Sequence, residues 1–347
     1  MATAETSRLG GPRNRGAALG GGVPLVWVLL LAAAAGLLVG SLRSAFFAQL
    51  TIEGLAIGAV YGSLALALVL VYRATHVINF AQGELAMATT YVAYQLIQWG
   101  LSYWEAFFAT LAVAMVLGTV LEVALIRPVL HRSVIATVIV TVGLFILIDG
   151  VVNWIWGGDF KPMPSPFGTK VYDVGGVAIP KLYFGMLFVV LVSAALVWVL
   201  FRFTKLGLGM RAAALRPAAA ALVGVRVDRM LAIGWGLAAV LGAVAGLMAE
   251  PSQLFLSPTL MQQILVYAFA AAVLGGLESP FGAVVGGLMI GVFLNLMVGY
   301  ASTISSDLHL PFAISAELQL PFAFALLLLI LLVKPTGLFG HREVRRV

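Results

Sequence analysis

Apolar residues run through this sequence in blocks of about twenty, separated by short polar intervals. They neither alternate with period two nor line one helical face. An α-helix rises 1.5 Å per residue, so about twenty apolar residues cross roughly 30 Å of hydrocarbon. The blocks predict spans at about 23–42, 50–72, 78–98, 104–126, 133–156, 182–201, 230–249, 264–277, 281–300 and 311–333. The fold class is therefore an all-α integral membrane protein, a polytopic bundle of about 10 transmembrane helices. The pair at 264–300 is also readable as a re-entrant hairpin. Its first member is short and is interrupted by Gly275, Gly276, Pro280 and Gly282, and broken backbone is tolerated at depth where protein buries it.

Composition narrows the class further. Hydrophobic residues make up 62% and charged residues 10% of the 347, with mean hydropathy +1.08. Soluble domains run near 45–50% apolar and about 25% charged, so a water-soluble fold is excluded, and disorder with it. With no cysteine there is no disulfide framework, thiolate site or thiol nucleophile. The four histidines, His76, His131, His309 and His341, are scattered and form no HExxH-type pair.

The net charge of +6 is topological and does not point to nucleic acid. With the N-terminus inside, 16 of the 20 Lys and Arg fall on the cytoplasmic side, leaving Arg43, Lys161, Lys170 and Lys181 outside. That is the positive-inside asymmetry, and it fits an even number of crossings with both ends cytoplasmic. The run 23–39 behind Arg8, Arg13 and Arg15 also fits a signal peptide, with Ala45 and Ala48 as a loose cleavage context. It is long for such a segment, and cleavage would leave nine spans, so a retained helix is expected. The expected organisation is a disordered cytoplasmic tail at 1–22, one transmembrane domain at 23–340 and a cytoplasmic tail at 341–347.

Two loops exceed the usual length of a bare connection. The external loop 157–181 carries Pro162, Pro164, Pro166 and Gly175-Gly176, and reads as an ordered, turn-rich cap. The internal loop 202–229 is basic. Within it 217–223 can form two helical turns, with Pro217 at the first helical position and Gly224 just past the end. Arg211, Arg216, Arg226 and Arg229 surround this segment; a short interfacial helix snorkelling on anionic lipid is the alternative reading.

Inside the predicted spans few residues are polar. Glu84 sits near the cytoplasmic start of the third span, where Asn79, Gln82 and Glu84 read as an inner gate or a packing hinge. The alternatives are a favourable helix-start charge or a pair with Arg73. In the fifth span Thr137, Thr141, Asp149 and Asn153 are polar, and Asp149 and Asn153, four apart, share a face. Ionisable residues inside spans are costly and usually face a bundle interior or a cavity, which favours a pathway-lining role. Glycines recur at four-residue spacing in Gly58/Gly62, Gly242/Gly246, Gly282/Gly286 and Gly287/Gly291, the pattern that lets helices approach closely. Helix packing is accordingly expected at Gly58, Gly62, Gly275, Gly276, Gly282 and Gly286. Glu53, Glu105, Glu250 and Glu317 are expected to face the outer water. The loose Gly207-x-Gly209-x-x-Ala212 string lacks a preceding strand and is set aside as a dinucleotide site, and no GxxxxGK[ST] phosphate loop occurs.

The stretch 54–96, GLAIGAVYGSLALALVLVYRATHVINFAQGELAMATTYVAYQL, resembles the permease subunits of bacterial branched-chain amino acid ABC importers, in particular the H-type member of the paired H and M permeases. The hallmark is a Gly-rich helix, a tyrosine and an Asn-Phe-Ala-His-Gly-Glu string. Here the string is Asn79-Phe80-Ala81-Gln82-Gly83-Glu84, with Gln82 where histidine is usual. Further agreement lies in Glu122 with Arg127-Pro128, in Thr141-Val142-Gly143 with Trp156-Gly157, in Ala272-Val273-Leu274-Gly275-Gly276 with Pro280 and Gly282-Ala283, and in Lys334-Pro335-Thr336-Gly337-Leu338-Phe339-Gly340. The resemblance covers roughly 46–340. It departs at Leu215-Arg216, where an acidic or amide residue usually precedes the proline, and at Asp149, where amides are commoner.

The resemblance implies an alternating-access permease in the bacterial cytoplasmic membrane, importing leucine, isoleucine or valine. The 211–225 loop would be its coupling helix, with Arg211, Arg216, Pro217, Leu222 and Gly224 meeting the ATPase. Its partners would be an M-type permease, two cytoplasmic ATPases and an extracytoplasmic binding protein, besides membrane lipid. The chain itself would bind no cofactor and catalyse no bond chemistry; ATP and Mg would belong to the ATPases. Rival readings keep the architecture with urea, short amides or another small solute as cargo, or make the chain an ion-coupled secondary transporter, a channel or an intramembrane enzyme.

Overall fold

In the computed structural model, residues 36–37, 39–40, 44–130, 132–174, 176–253, 255–301, 318–334 and 336–340 are described. Both predicted tails, most of the first predicted span, the start of the last one and Glu317 lie outside them.

The first long helix, α1 (Ala45–Thr75), is the axis of the molecule. Nineteen of its residues are buried, from Ala48 to Val71. Apolar residues all round a helix mark one enclosed by others, and α1 is packed on several sides. Ser44 caps its start by accepting from the Phe47 N–H. It ends at His76, whose left-handed backbone (φ 56°) lets its N–H close on the Tyr72 carbonyl. The chain then runs without helix to α2 (Gln82–Gln98).

The helical run α3 (Tyr103–Leu130) starts with a reciprocal capping box between Ser102 and Glu105. It contains one π turn, Glu122–Ile126. Pro128 lacks an N–H for the preceding turn, and such a register slip is a common answer. The helix α4 (Val134–Trp156) follows, then a loop holding an antiparallel hairpin, β1 (Val171–Val174) with β2 (Val177–Pro180). The expected turn-rich cap thus includes a small sheet.

The chain continues through α5 (Lys181–Phe203), two short helices α6 (Lys205–Leu215) and α7 (Pro217–Leu222), and the long α8 (Val227–Gln253). It ends with α9 (Leu260–Gly275), α10 (Pro280–Gly299) and α11 (Gln319–Val333).

Glycine makes the closest contacts. The α1 and α10 helices run antiparallel with backbones almost touching: a Cβ on Gly58 would meet the Gly287 carbonyl oxygen at 2.7 Å, and one on Gly54 the Val292 Cα at 2.7 Å. Gly62 carries the seam one turn further, with less contact on its own side. A Cβ there would meet the Val284 carbonyl oxygen at 3.0 Å and the Val284 Cα at 3.2 Å. Its importance is as the surface that another glycine needs, because a Cβ on Gly287 would strike the Gly62 backbone itself. The expected Gly58/Gly62 pair is therefore unequal: Gly58 must be small for its own sake, and at Gly62 the tighter demand falls on Gly287. Asn295 closes this seam by donating to the Leu50 carbonyl at 2.7 Å.

Gly282 and Gly286 pack on Gly275 and Ala271, which holds α9 against α10. Gly276 departs from the expected helix-packing role, because it follows the end of α9 and serves the turn. Its φ is 100°, and a Cβ there would strike the Gly340 N–H group.

The α9–α10 hairpin pairs a helix long enough to cross a membrane, α10, with a shorter apolar one of 16 residues, α9. Just before α9, Leu256 pairs with Lys161 of the loop that follows α4, through two 2.9 Å backbone bonds. At the other end of α9, the Leu274 and Gly275 carbonyls accept from Leu338 and Phe339, beyond α11. The segment from Leu256 through α9 therefore links the two ends of the bundle, and α10 returns to the start of α1, where Tyr300 stacks edge-on to Phe46.

Among the described residues, six helices are long and apolar enough to cross a membrane. The outward faces of α3, α4, α5 and α11 carry exposed Phe, Leu, Ile, Val and Trp, as lipid contact requires.

Candidate functional site

Sequence windows place the third span at 78–98, but the helix starts only at Gln82, and deep in the protein. The Gln82 side chain donates to the Ala238 carbonyl at 2.9 Å. Ala238 is eleven residues beyond Val227, the first residue of α8, roughly 16 Å along it. Gly83 packs on Met261 and Leu265 of α9. Glu84 therefore lies in the middle of the bundle and not at a surface end, a correction to the position expected from hydropathy. The physical reason is the non-helical 77–81 stretch, which carries the chain inward. Asn79 stabilises it by accepting from the Ala81 N–H at 3.1 Å and donating to Gln82 at 3.0 Å.

Glu84 is wholly buried, and both of its carboxylate oxygens lack a hydrogen-bond partner. It does not pair with Arg73. The Asp149 carboxylate of α4 and the Gln262 amide of α9 stand near enough to act on it electrostatically. Two acids chosen from the sequence thus approach each other across separate helices. Asn153 donates to both the Asp149 carbonyl (2.9 Å) and its carboxylate (3.2 Å), one helical turn apart. Thr141 is buried and turned back onto its own helix, donating to Val138. Asn79, Gln82, Glu84, Asp149 and Asn153 therefore belong to one polar region around the start of α2, whereas the Thr141 hydroxyl is spent on its own helix. The glycines Gly58, Gly62, Gly275, Gly282 and Gly286 stand apart from this region, since the atoms nearest to each belong to the α1–α10 and α9–α10 seams.

Glu250, expected in outer water, is instead 1% exposed, with neither carboxylate oxygen bonded. The cause is the length of α8, which continues through Pro251 to Gln253 and keeps Glu250 inside the bundle. Glu53 and Glu105 do lie at the end reached by the 157–181 loop: Glu53 accepts from Gln49 and Glu105 caps α3.

Comparison with known proteins places the chain. The family model described as "Branched-chain amino acid transport system / permease component" matches residues 50–331. The chain belongs to that family. The high-affinity branched-chain amino acid transport system permease protein LivH of Salmonella typhimurium is 29% identical over 317 residues, covering 87% of this chain and 98% of that protein. BraD of Pseudomonas aeruginosa, a permease protein of the same description, is 29% identical over 316 residues with the same coverage. A probable LivH of Methanocaldococcus jannaschii is 29% identical over 246 residues, 69% of this chain and 78% of that protein.

At the basic end of this permease the 202–229 loop is more ordered than its sequence suggests. An entire helix, α6, goes beyond the sequence reading, because Gly207 and Gly209 read as loop. Gly207 instead lets α6 fold tightly against Phe201 at the end of α5, with the Thr204 side chain capping at 3.1 Å. Arg216 then breaks the helix, and Pro217 starts α7 at its first position. Gly224, at φ 84°, turns the chain toward α8. Between these stops, Leu222 (90% exposed), Val223 (80%) and Leu215 (79%) stand free of the rest of the chain. Apolar side chains presented this way beside basic residues mark a docking surface.

The permease also has a pairing that sequence spacing leaves unexplained. Arg127 makes a bidentate contact with the buried Glu122, at 2.7 and 3.2 Å, and donates to the Asp228 carbonyl at 3.1 Å. This ties the end of α3 to the start of α8, directly beyond the α6–α7 loop. The signal is an acid and an arginine five apart, which meet across a π turn and not across an ordinary helical one.

Proposed function

We propose that this chain is a membrane subunit of an ATP-driven importer of branched-chain amino acids. Its sides are those of the charge asymmetry: the Arg-rich end, with α6 and α7, faces the cytoplasm of a bacterial cell, and both termini lie on that side. A second, M-type permease completes the membrane pathway, one of two ABC ATPases seats against α7, and an extracytoplasmic binding protein delivers leucine, isoleucine or valine at the hairpin end. The chain binds no nucleotide of its own and has no catalytic site; ATP and Mg are used by the ATPases.

One observation carries this reading: curated relatives named as branched-chain amino acid permeases align over 98% of their length, so the likeness extends over those whole proteins and not over one module. The geometry supports it, because Leu222 and Val223 offer an exposed apolar contact on a short helix that Pro217 starts and Gly224 follows. Closure of the ATPases would push α7, and α6 would pass the movement to α5 while the Arg127 tie passes it to α3 and α8. The mid-bundle region at Glu84 and Asp149 is the part of the path that responds.

The test is uptake of labelled leucine, isoleucine and valine in cells lacking the chain and in complemented cells, before and after ATP depletion. ATP-dependent uptake that disappears on deletion and returns on complementation supports the proposal. Uptake of urea or short amides that responds in its place, with amino acid uptake unchanged, overturns the cargo.

A further inference from the structure

Among the described residues, a groove of ≈ 460 Å³ opens on the surface of the bundle between α1, α5 and α10, at their basic ends. Its walls are apolar, formed by Leu66 and Leu70 of α1, Ala194 and Ala195 of α5, and Val284 of α10. The two alanines make the concavity, since larger side chains there would fill it. Its lining also includes three arginines from three elements: Arg73 at the end of α1, Arg202 at the end of α5 and Arg211 on α6. None of them forms a salt bridge among the described residues. Glu278, in the α9–α10 turn, is the acid close enough to act on Arg73, and Arg211 adds a like charge there. Arg73 therefore has one acid and one further guanidinium within electrostatic reach. Trp198, 56% exposed, stands on the same wall one turn from Arg202, and tryptophan at this depth is a membrane-interface anchor.

We propose that this groove is a binding site for one anionic phospholipid, with an acyl chain along the alanine wall and the phosphate among Arg73, Arg202 and Arg211. The chemistry selects the occupant. An apolar slot open to the bilayer accepts an acyl chain, and basic pockets between helices at the cytoplasmic side hold anionic head groups. A packed protein helix would satisfy the walls but leave the guanidinium groups crowded. Arg211 belongs to α6, immediately before α7, so an occupied site also fixes the base of the α6–α7 loop. The binding claim stands on the groove alone and does not rest on the proposed cargo.

The experiment is native mass spectrometry of the assembled, detergent-solubilised transporter, with phosphatidylglycerol or phosphatidylethanolamine added in turn. The wild-type complex should retain phosphatidylglycerol preferentially. R202Q should weaken that retention about fivefold, the equivalent of one surface cation, and R73Q with R202Q further. Ala195→Phe, which blocks the slot without touching a charge, should abolish retention while the complex still assembles. Equal retention of both lipids, or retention that survives both R202Q and A195F, overturns the proposal. The absence of native cysteine permits one more arm. If Ala194→Cys crosslinks to the partner permease, or to a cysteine placed in the 23–42 run, protein fills the groove, and that also overturns the proposal.

Discussion

Glu84 and Glu122 are both fully buried, yet their removal should have opposite consequences. Glu122 is matched by a bidentate arginine, so Glu122→Ala strands a half-buried guanidinium with only the Asp228 carbonyl. Charge-assisted hydrogen bonds contribute about 1.5–3 kcal/mol, and part of that is returned because Arg127 keeps 30% side-chain exposure. A loss of ~2 kcal/mol, seen as a lower unfolding midpoint of the purified subunit, is expected. Glu84 has no cation to strand, since the groups that act on it are the Gln262 amide and the Asp149 carboxylate. Glu84→Gln keeps its shape and removes an uncompensated charge, so stability should hold or rise by ~1 kcal/mol. Transport should nevertheless fall about tenfold, the worth of one charge-assisted bond of ~1.4 kcal/mol, if the carboxylate meets the moving cargo or a partner group during the cycle. Unchanged uptake in a stabilised E84Q subunit would sink that role.

Among the helices, close approach and not hydrophobicity sets the order of packing. Gly58, Gly62 and Gly143 are all glycines inside apolar helices, and sequence treats them alike. A Cβ on Gly58 meets backbone of α10 at 2.7 Å and one on Gly62 meets it at 3.0 Å, while one on Gly143 meets nothing within 4 Å. Alanine gains helix propensity equally at all three, so the differences between them isolate packing. Gly58→Ala should cost ~2 kcal/mol through overpacking, Gly62→Ala about half as much, and Gly143→Ala should stay within about 0.5 kcal/mol of wild type or improve on it. Thermal unfolding in one detergent settles the series; equal midpoints would mean that the α1–α10 seam yields freely. The same level shows what the sequence could convey. Span positions are legible because twenty-residue apolar runs carry a strong signal. The late start of α2 is not, since Val77, Ile78, Phe80 and Ala81 are as apolar as the helix they precede and only the left-handed His76 backbone stops α1. Four-residue glycine spacing points to the α1–α10 seam without ranking Gly58 over Gly62, because rank depends on the facing helix. Glycine misleads in α6, where it permits a tight helix turn and not a loop. Glu250 is misplaced by sequence because Pro251 looks like an end that α8 runs through.

At the scale of the whole molecule, the fold class follows from hydropathy and the arrangement of helices from small residues meeting across them. The site is harder to read from sequence, because it depends on depth. Glu84 comes near Asp149 only because the 77–81 segment enters the bundle unwound. The sidedness rests on charge, and the chain's lack of cysteine makes it directly measurable. Single cysteines at Leu222 and at Lys170 stand at opposite ends, both on exposed positions. An impermeant maleimide applied to intact cells should label Lys170→Cys and spare Leu222→Cys, while inside-out vesicles should reverse the pattern. Adding the ATPases to those vesicles should then slow labelling of Leu222→Cys severalfold and leave an Arg132→Cys control unaffected, because burial of Leu222 in a partner is what its 90% exposure prepares. Labelling of Leu222→Cys from outside the cell would invert the assigned orientation. Unprotected labelling in the assembled complex would remove α7 from the interface, and the exposed Leu215 and Val223 would then need another partner.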